Sequence, residues 1–233
     1  MESFIKQLDK IVAEEWQRIK TGKFWNLVMS EPVDPLLYKG LMEEIYHYTK
    51  HNSINQAAAA YKTSPERRKL LKFVYKHALE ELGHEKMVTH DLESVGLLDA
   101  GLENRLPLPA TQALTSFIYL TAIEKGAAAR LGYSYWAETS YDHIDDLLKK
   151  IASDLNLTEK NMSFFVAHSE IDSKHSVEVT DAITSCVSDE AELRDILNTA
   201  QVTLYLTGQM LDQVAERYTN KARTAGDSLN VAA

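Results

Sequence analysis

Hydrophobic residues recur at intervals of three and four along most of the chain, and the alternation typical of strands is scarce. This periodicity is typical of amphipathic helices. Pro35 suits a first helical turn, and Ser64 followed by Pro65 indicates a second helix start. We therefore predict an all-α protein with seven helices, at about residues 2–29 (with a break near Gly22), 35–61, 64–94, 110–139 (with weak points at Gly126 and Gly132), 141–153, 158–186 and 188–218.

No internal repeat or linker divides these helices. With 45% hydrophobic and 25% charged residues among 233, the composition is that of a globular protein with a sizeable core. We predict a single all-helical domain over residues 1–220. The last segment, 221–233, lacks an apolar period, and we predict that it is disordered.

Charge and cysteine content exclude several classes of protein. The net charge is −9 and no basic stripe is present, which argues against nucleic-acid binding. The single cysteine, Cys186, excludes a disulfide within the chain and a cysteine-based metal knuckle. The sequence contains no run of 18 apolar residues, so no membrane span is predicted. The charged N-terminal segment does not resemble a signal peptide. We expect a cytoplasmic protein that binds neither nucleic acid nor membrane.

Three predicted helices carry metal-capable side chains on the faces that their periodicity assigns to the interior. Residues three, four and seven positions apart share one face of a helix. The candidate ligands are Glu81 and His84 on the third helix, Glu124 on the fourth, and His168, Asp172 and His175 on the sixth.

Each motif alone has a simpler interpretation. A Glu-x-x-His pair is common in helices, and Glu124 by itself is more typical of a core salt bridge. His77, one turn before Glu81, is interpreted as a core histidine, with a role in supporting a ligand as the alternative. The His168-x3-Asp172-x2-His175 motif is more specific, and three such motifs on separate helices make coincidence much less probable.

Carboxylates and imidazoles together suit iron or manganese, and zinc is an alternative. Without a metal we expect the three carboxylates to crowd together. Like charges in a medium of low dielectric resist ionisation, so some of their pKa values should then be raised.

The order Glu81-x-x-His84, Glu124, His168-x3-Asp172-x2-His175 resembles that of the heme-oxygenase-like diiron oxidases and oxygenases. The resemblance covers about residues 35–215. It implies a heme-oxygenase-like (TenA-like) bundle of about seven or more helices that binds two iron ions, with manganese as an alternative. It further implies reaction of O2 with a small organic substrate such as a fatty acid, an amino acid or an amine. A homodimer is an open alternative to a monomer.

Two other hypotheses remain open. A ferritin-like four-helix bundle would use Glu44, Glu81, His84, Glu124, Asp172 and His175, and it would not need His168. A metal-free ligand-binding scaffold of the heme-oxygenase-like fold would need none of these ligands. Bound metal separates the scaffold from the two metal-binding hypotheses.

Overall fold

The computed structural model describes the backbone of residues 1–187 and 189–230, and side chains over the same ranges except 170–173 and 221–230. This part of the chain forms α-helices and short 3-10 turns, without a strand. The α-helices are α1 (Glu2–Lys20), α2 (Lys23–Ser30), α3 (Pro35–Thr49), α4 (Asn52–Lys62), α5 (Arg68–Glu80), α6 (Glu85–Ser94), α7 (Pro109–Lys125), α8 (Ala127–Ala137), α9 (Tyr141–Leu155), α10 (Ser163–Cys186) and α11 (Glu190–Asn230).

The all-α prediction is confirmed, and so is the number of at least seven helices. Several predicted helices are divided by a short turn. The break near Gly22 and the one at Gly126 were expected, whereas Gly132 lies inside α8 and interrupts nothing. The predicted helices 35–61 and 64–94 are also each divided, between α3 and α4 and between α5 and α6. The backbone of α11 is helical to Asn230, and the side chains of 221–233 lie outside the described residues, so the predicted disorder there remains a prediction.

Helix α8 lies at the centre of the molecule. Every residue from Ala127 to Trp136 is buried, which is the pattern of a helix enclosed by other helices on all sides. It packs against α4, α5, α7, α10 and α11. Because α8 touches so many other helices, residues on it can reach side chains on α4, α5 and α10 at once.

Gly132 lets α8 approach α11 closely. A Cβ atom at this position would overlap the carbonyl oxygen of Ile196 and would lie 2.8 Å from the backbone nitrogen of Ala200. Both neighbours are backbone atoms of a long helix, so neither can move aside independently.

None of the helices within the described residues is long and apolar enough to cross a membrane.

We expect Gly132→Ala to lower the free energy of unfolding by about 2–3 kcal/mol, because the added methyl group forces α8 and α11 apart. Gly40→Ala is the matched control on a helix, since its Cβ would meet only the Cγ1 atom of Val214, at 3.2 Å. The helix propensity of alanine opposes the cost of the small shift that Val214 must make, so that control should change the free energy of unfolding much less than Gly132→Ala. Urea unfolding followed by circular dichroism measures both variants. Equal stability of Gly132→Ala and the wild type would contradict this account of the interface.

Candidate metal centre

The turn between α5 and α6 carries two of the predicted ligands. Glu81 is the C-cap of α5 and His84 is the N-cap of α6. Gly83 between them has a φ angle of 96°, in a left-handed region that glycine enters without steric strain. Although the predicted continuous helix is interrupted here, the turn brings the two side chains together, with Glu81 Oε2 3.5 Å from His84 Nδ1.

A first cluster consists of Glu81, His84 and His168, whose ligand atoms all lie within 4.8 Å of one another. His84 Nδ1 lies 3.1 Å from His168 Nε2. His168 Nδ1 lies 2.6 Å from the carbonyl oxygen of Phe164. A carbonyl only accepts, so His168 donates through Nδ1, and the lone pair of Nε2 points into the cluster. A backbone partner of this kind fixes the ring orientation of a metal-binding histidine.

A second cluster consists of His77, Glu81, Glu138 and His175, which are all buried. His77 Nε2 lies 3.1 Å from Glu138 Oε1, and His175 Nδ1 lies 3.2 Å from Glu138 Oε2. Neither ring nitrogen of His77 has a partner in hydrogen-bond geometry, although Glu138 is near. Buried polar atoms normally have a partner, so the His77 ring has unused capacity to bind a ligand.

Glu81 belongs to both clusters, which therefore adjoin each other. Its turn position faces both α10 and the end of α8, where His168, His175 and Glu138 lie. The carboxylate has two oxygens, so it can contact a separate cation with each. The two clusters together form one continuous polar site inside the core.

Both described carboxylates of this site are surrounded by imidazoles. Burial raises the pKa of Glu81, but the hydrogen bond from His84 and the nearby imidazole charges outweigh burial and hold this pKa at about 2. Burial likewise raises the pKa of Glu138, but its contacts with His175 and His77 outweigh burial and lower it. The prediction that crowding raises carboxylate pKa values is therefore wrong for Glu81, because the imidazoles around it outweigh both burial and the neighbouring carboxylate of Glu138.

The histidine pKa values depend on which carboxylate each ring contacts. The hydrogen bond with Glu81 raises the pKa of His84. Burial lowers the pKa of His175, but its contact with Glu138 outweighs burial and raises it. Burial lowers the pKa of His168, which has no carboxylate as its hydrogen-bond partner. His168 is therefore the most readily neutral ligand in the first cluster.

Glu124, one of the six predicted ligands, lies apart from both clusters. It is exposed near the end of α7, so the prediction that it faces the interior is wrong. The buried face of α7 contains Leu114, Ile118 and Ala122, whereas Leu120 is exposed. The face of the predicted helix 110–139 that was assigned to the interior is therefore not the buried face of α7, and that helix does not continue through Gly126, where α7 ends.

Glu138 and His77 are the two cluster members that sequence reasoning missed. Glu138 is the C-cap of α8. The available sequence signal was the run of mainly small and aromatic residues before it, AAARLGYSYWA, which indicates an interior helix. His77 was interpreted as a core histidine, and it is indeed in the core, but beside a carboxylate. Its position one turn before Glu81 was the available signal.

Asp172 and Glu44 are the two other acidic residues that the metal-binding hypotheses require. The side chain of Asp172, a predicted ligand on α10, lies outside the described residues, so that prediction is untested. Glu44, which the ferritin-like plan requires, is buried on α3 but belongs to neither cluster. It accepts hydrogen bonds from the Thr111 hydroxyl and the Leu108 backbone, which satisfy its carboxylate without a metal.

The donor atoms present fit an iron site. Together the two clusters contain four imidazoles and two carboxylates, one of which is the shared Glu81, and no thiolate is among them. Mixed nitrogen and oxygen ligation suits iron and manganese. The ring of His77 supports the same interpretation: its Nδ1 has no hydrogen-bond partner and its Nε2 has only the Glu138 contact, whereas buried polar atoms normally have a partner in good geometry.

A cavity of about 140 Å³ reaches the clusters from the side of α1, α2 and α9. Glu81, Glu138 and His168 lie at its polar end. The rest of the lining is mainly aromatic and aliphatic and includes Trp16, Trp25, Leu41, Ile45, Tyr133, Trp136, Ile144, Leu147, Phe164, Phe165, Met210 and Leu211. A small apolar molecule in this cavity would lie directly beside the ligand atoms.

Solved structures with the same fold are known. A domain of unknown function with a heme oxygenase-like fold, from Shewanella denitrificans, is 37% identical, with a TM-score of 0.87 over 92% of this chain and 93% of that one. A CADD-like protein of unknown function from Nostoc punctiforme is 14% identical, with a TM-score of 0.74 over 93% and 97% of the two chains. A TenA homolog from Pseudomonas syringae is 15% identical, with a TM-score of 0.72 over 90% and 93%. The predicted heme-oxygenase-like fold is thus confirmed.

No curated protein matches the sequence. Residues 39–208 match the family described as iron-containing redox enzymes. This range includes every residue of both clusters and most of the cavity lining. The chain, which combines this match with a heme oxygenase-like fold and a buried site of histidines and carboxylates, belongs to the family of iron-containing redox enzymes.

Proposed function

We propose that the protein is a non-heme diiron enzyme that uses O2 to oxidise a small, predominantly apolar organic molecule. The single observation that carries this proposal is the position of Glu81 in two adjoining ligand clusters. A lone structural salt bridge would not require four imidazoles around two buried carboxylates. The family of iron-containing redox enzymes supports iron as the metal.

Each cluster has the donors to hold one ion. The first would use Glu81, His84 and His168, and the second would use His77, Glu81, Glu138 and His175. Asp172 remains a predicted further ligand. With three coordinating residues, the first cluster leaves positions free for O2 or substrate unless Asp172 also binds. The carboxylates would partly neutralise the ions, which makes their burial less unfavourable.

Iron(II) in such a site supplies the electrons that reduce O2 and allow the bound substrate to be oxidised. The chain's own residues hold the geometry. The Phe164 carbonyl orients His168, and Glu80, with Oε2 3.4 Å from His175 Nε2, limits the rotation of that ring. The apolar cavity walls restrict water at the place where the substrate would meet the ligands.

The cavity favours one class among the substrates that the resemblance implies. Its charged lining residues within the described part of the chain are Glu81 and Glu138, with His168 the adjoining titratable ligand. None of the described lining residues is a lysine or an arginine that would bind a carboxylate. The remaining walls are mainly apolar, with a few neutral polar groups such as those of Thr49, Asn52 and Thr207. A molecule with a hydrocarbon chain, such as a short fatty acid, therefore fits better than an amino acid with two charged groups.

Glu138→Gln tests the ligand assignment, and Glu124→Gln is its matched control. Glutamine has nearly the same shape as glutamate but lacks the negative charge. We expect Glu138→Gln to lose about half of the bound iron and to lower O2 consumption on the order of tenfold or more, because ligand loss weakens metal binding. Iron content and an oxygen electrode measure the two effects, with circular dichroism as the test of folding.

Glu124→Gln should match the wild type in both measurements, because Glu124 is exposed and lies apart from the clusters. The reverse result, with loss in Glu124→Gln alone, would contradict the assignment. A wild-type protein that binds no iron after expression in iron-supplemented medium would favour the metal-free scaffold instead.

Metal binding should depend on pH in a direction that the histidines determine. The pKa values of His84 and His175 are raised above 6.5 in the metal-free protein. Their protonated forms therefore stabilise the metal-free fold below about pH 6.5, and this contribution is lost as pH rises through the raised values. A metal must displace those protons, since only neutral imidazole binds it.

We therefore expect the increase in Tm caused by ferrous iron to be larger at pH 8 than at pH 6. Anaerobic thermal melts with and without iron measure this difference. His168→Ala should reduce the increase at both pH values, since it removes a ligand without removing His84 or His175. An increase in Tm that is equal at the two pH values would count against these rings as ligands.

The apolar substrate class can be tested by filling the cavity. Ala137 is half-buried and lines it, so Ala137→Leu should add bulk to the space while leaving the ligands intact. We expect O2 consumption with medium-chain fatty acids to exceed that with amino acids of similar size. In Ala137→Leu the longest accepted chain should be shorter, with iron content unchanged. Ala57→Leu, at an exposed position on α4, is the control, and an identical chain-length profile in both variants would disprove the cavity assignment.

A further inference from the structure

Arg130 on α8 is completely buried and is not one of the candidate ligands. Its Nε donates to Asn55 Oδ1 at 2.5 Å, and its Nη1 donates to Ser134 Oγ at 2.9 Å. Its Nη2 donates to Asn52 Oδ1 at 2.7 Å and to the Asn52 carbonyl at 3.3 Å. All of these acceptors are neutral. A buried positive charge is unfavourable unless another charge offsets it, so the position of Arg130 calls for an explanation.

Asn52 connects this guanidinium to the metal centre. Its Nδ2 donates to Glu81 Oε2 at 2.7 Å, while its Oδ1 accepts from Arg130. The amide cannot turn over, because an arginine only donates and an ionised carboxylate only accepts. The two charged neighbours therefore fix the orientation of Asn52, and through it one oxygen of Glu81.

An amide between the two charges has a further advantage over a direct ion pair. A guanidinium bound directly to Glu81 would form two parallel hydrogen bonds and would occupy both carboxylate oxygens. Asn52 uses a single lone pair of Oε2. The other lone pairs of Glu81 stay available to both clusters, and the polarised amide still transmits part of the positive charge of Arg130.

We propose that Arg130 and Asn52 form a positioning pair that fixes the plane of the Glu81 carboxylate so that it can bind a metal ion in each cluster. This inference rests on the proposed function, since it requires that the clusters bind metal. Asn52 acts on Glu81, and Arg130 acts through Asn52. Neither residue needs to contact a metal ion.

Asn55 provides a matched control. It is also an asparagine of α4, and its Oδ1 likewise accepts from Arg130, but the second contact of its amide is with the carbonyl of His51. Asn55→Ala and Asn52→Ala each remove one acceptor of Arg130. Only Asn52→Ala also removes the hydrogen bond to Glu81, so a purely structural role of Arg130 would affect the two variants alike.

The experiment titrates cobalt(II) chloride into full-length protein from which bound metal has been removed, in the absence of any substrate. Cobalt(II) reports its ligand geometry through its visible absorption. We expect Asn52→Ala to raise the cobalt Kd by 10–100-fold, the range found when partners of metal ligands are removed, and to shift the visible bands. Asn55→Ala should stay within about threefold of the wild type, with unchanged bands.

If Asn52→Ala does not fold, Asn52→Ser replaces it. Serine lacks the amide N–H that donates to Glu81, while the backbone carbonyl of residue 52 can still accept from Arg130. Wild-type affinity and bands in the Asn52 variant would overturn the inference while leaving the metal centre intact, and so would equal losses in both asparagine variants. Failure of the wild type to bind cobalt would instead overturn the proposed metal centre and this inference with it.

Discussion

The buried carboxylate of Glu81 is the constraint on which the arrangement of the site depends. A carboxylate in an apolar core is unstable unless cationic or hydrogen-bonding groups surround it. Here those groups come from separate parts of the chain: His77 from α5, His84 from the next turn, His168 and His175 from α10, and Asn52 from α4. The contacts hold the pKa of Glu81 at about 2. The carboxylate therefore remains charged at neutral pH, ready for a cation.

The same constraint explains why α5 and α6 are separate helices. In a continuous helix, Glu81 and His84 would project from the side of one cylinder, and their distance from the helix axis would be fixed by the helix diameter. The turn at Gly83 places both side chains at helix ends, where they can approach α8 and α10. A similar turn at Gly126, with a φ angle of 87°, lets α8 begin in a new direction and become the buried central helix.

The sequence was sufficient to predict the fold class and the regions of the chain that form the site. Glu81, His84, His168 and His175 do converge. Their spacing within one turn or one helix is a local property, and it was enough to assign each pair to an interior face. Which of Glu124 and Glu138 faces the ligand clusters could not be predicted from local spacing. It depends on how α7 is rotated against its neighbours and on where the helix breaks, and α7 has apolar residues on both its buried and exposed faces. His77 illustrates a different limit of sequence-based prediction. A position on the buried face of a helix is expected both for a core histidine and for a metal ligand, so it does not distinguish them.

Helix α8 supports the site at both ends, through Arg130 near its start and Glu138 at its C-cap. They are eight positions apart, which is a rise of about 12 Å and slightly more than two turns. Inserting or deleting one residue between them would rotate one side chain by about 100° relative to the other. Either Glu138 would leave the ligand cluster or Arg130 would lose Asn52. The length of this segment is therefore as strictly determined as the identity of its residues, and related sequences can be compared by this spacing even where their other residues differ.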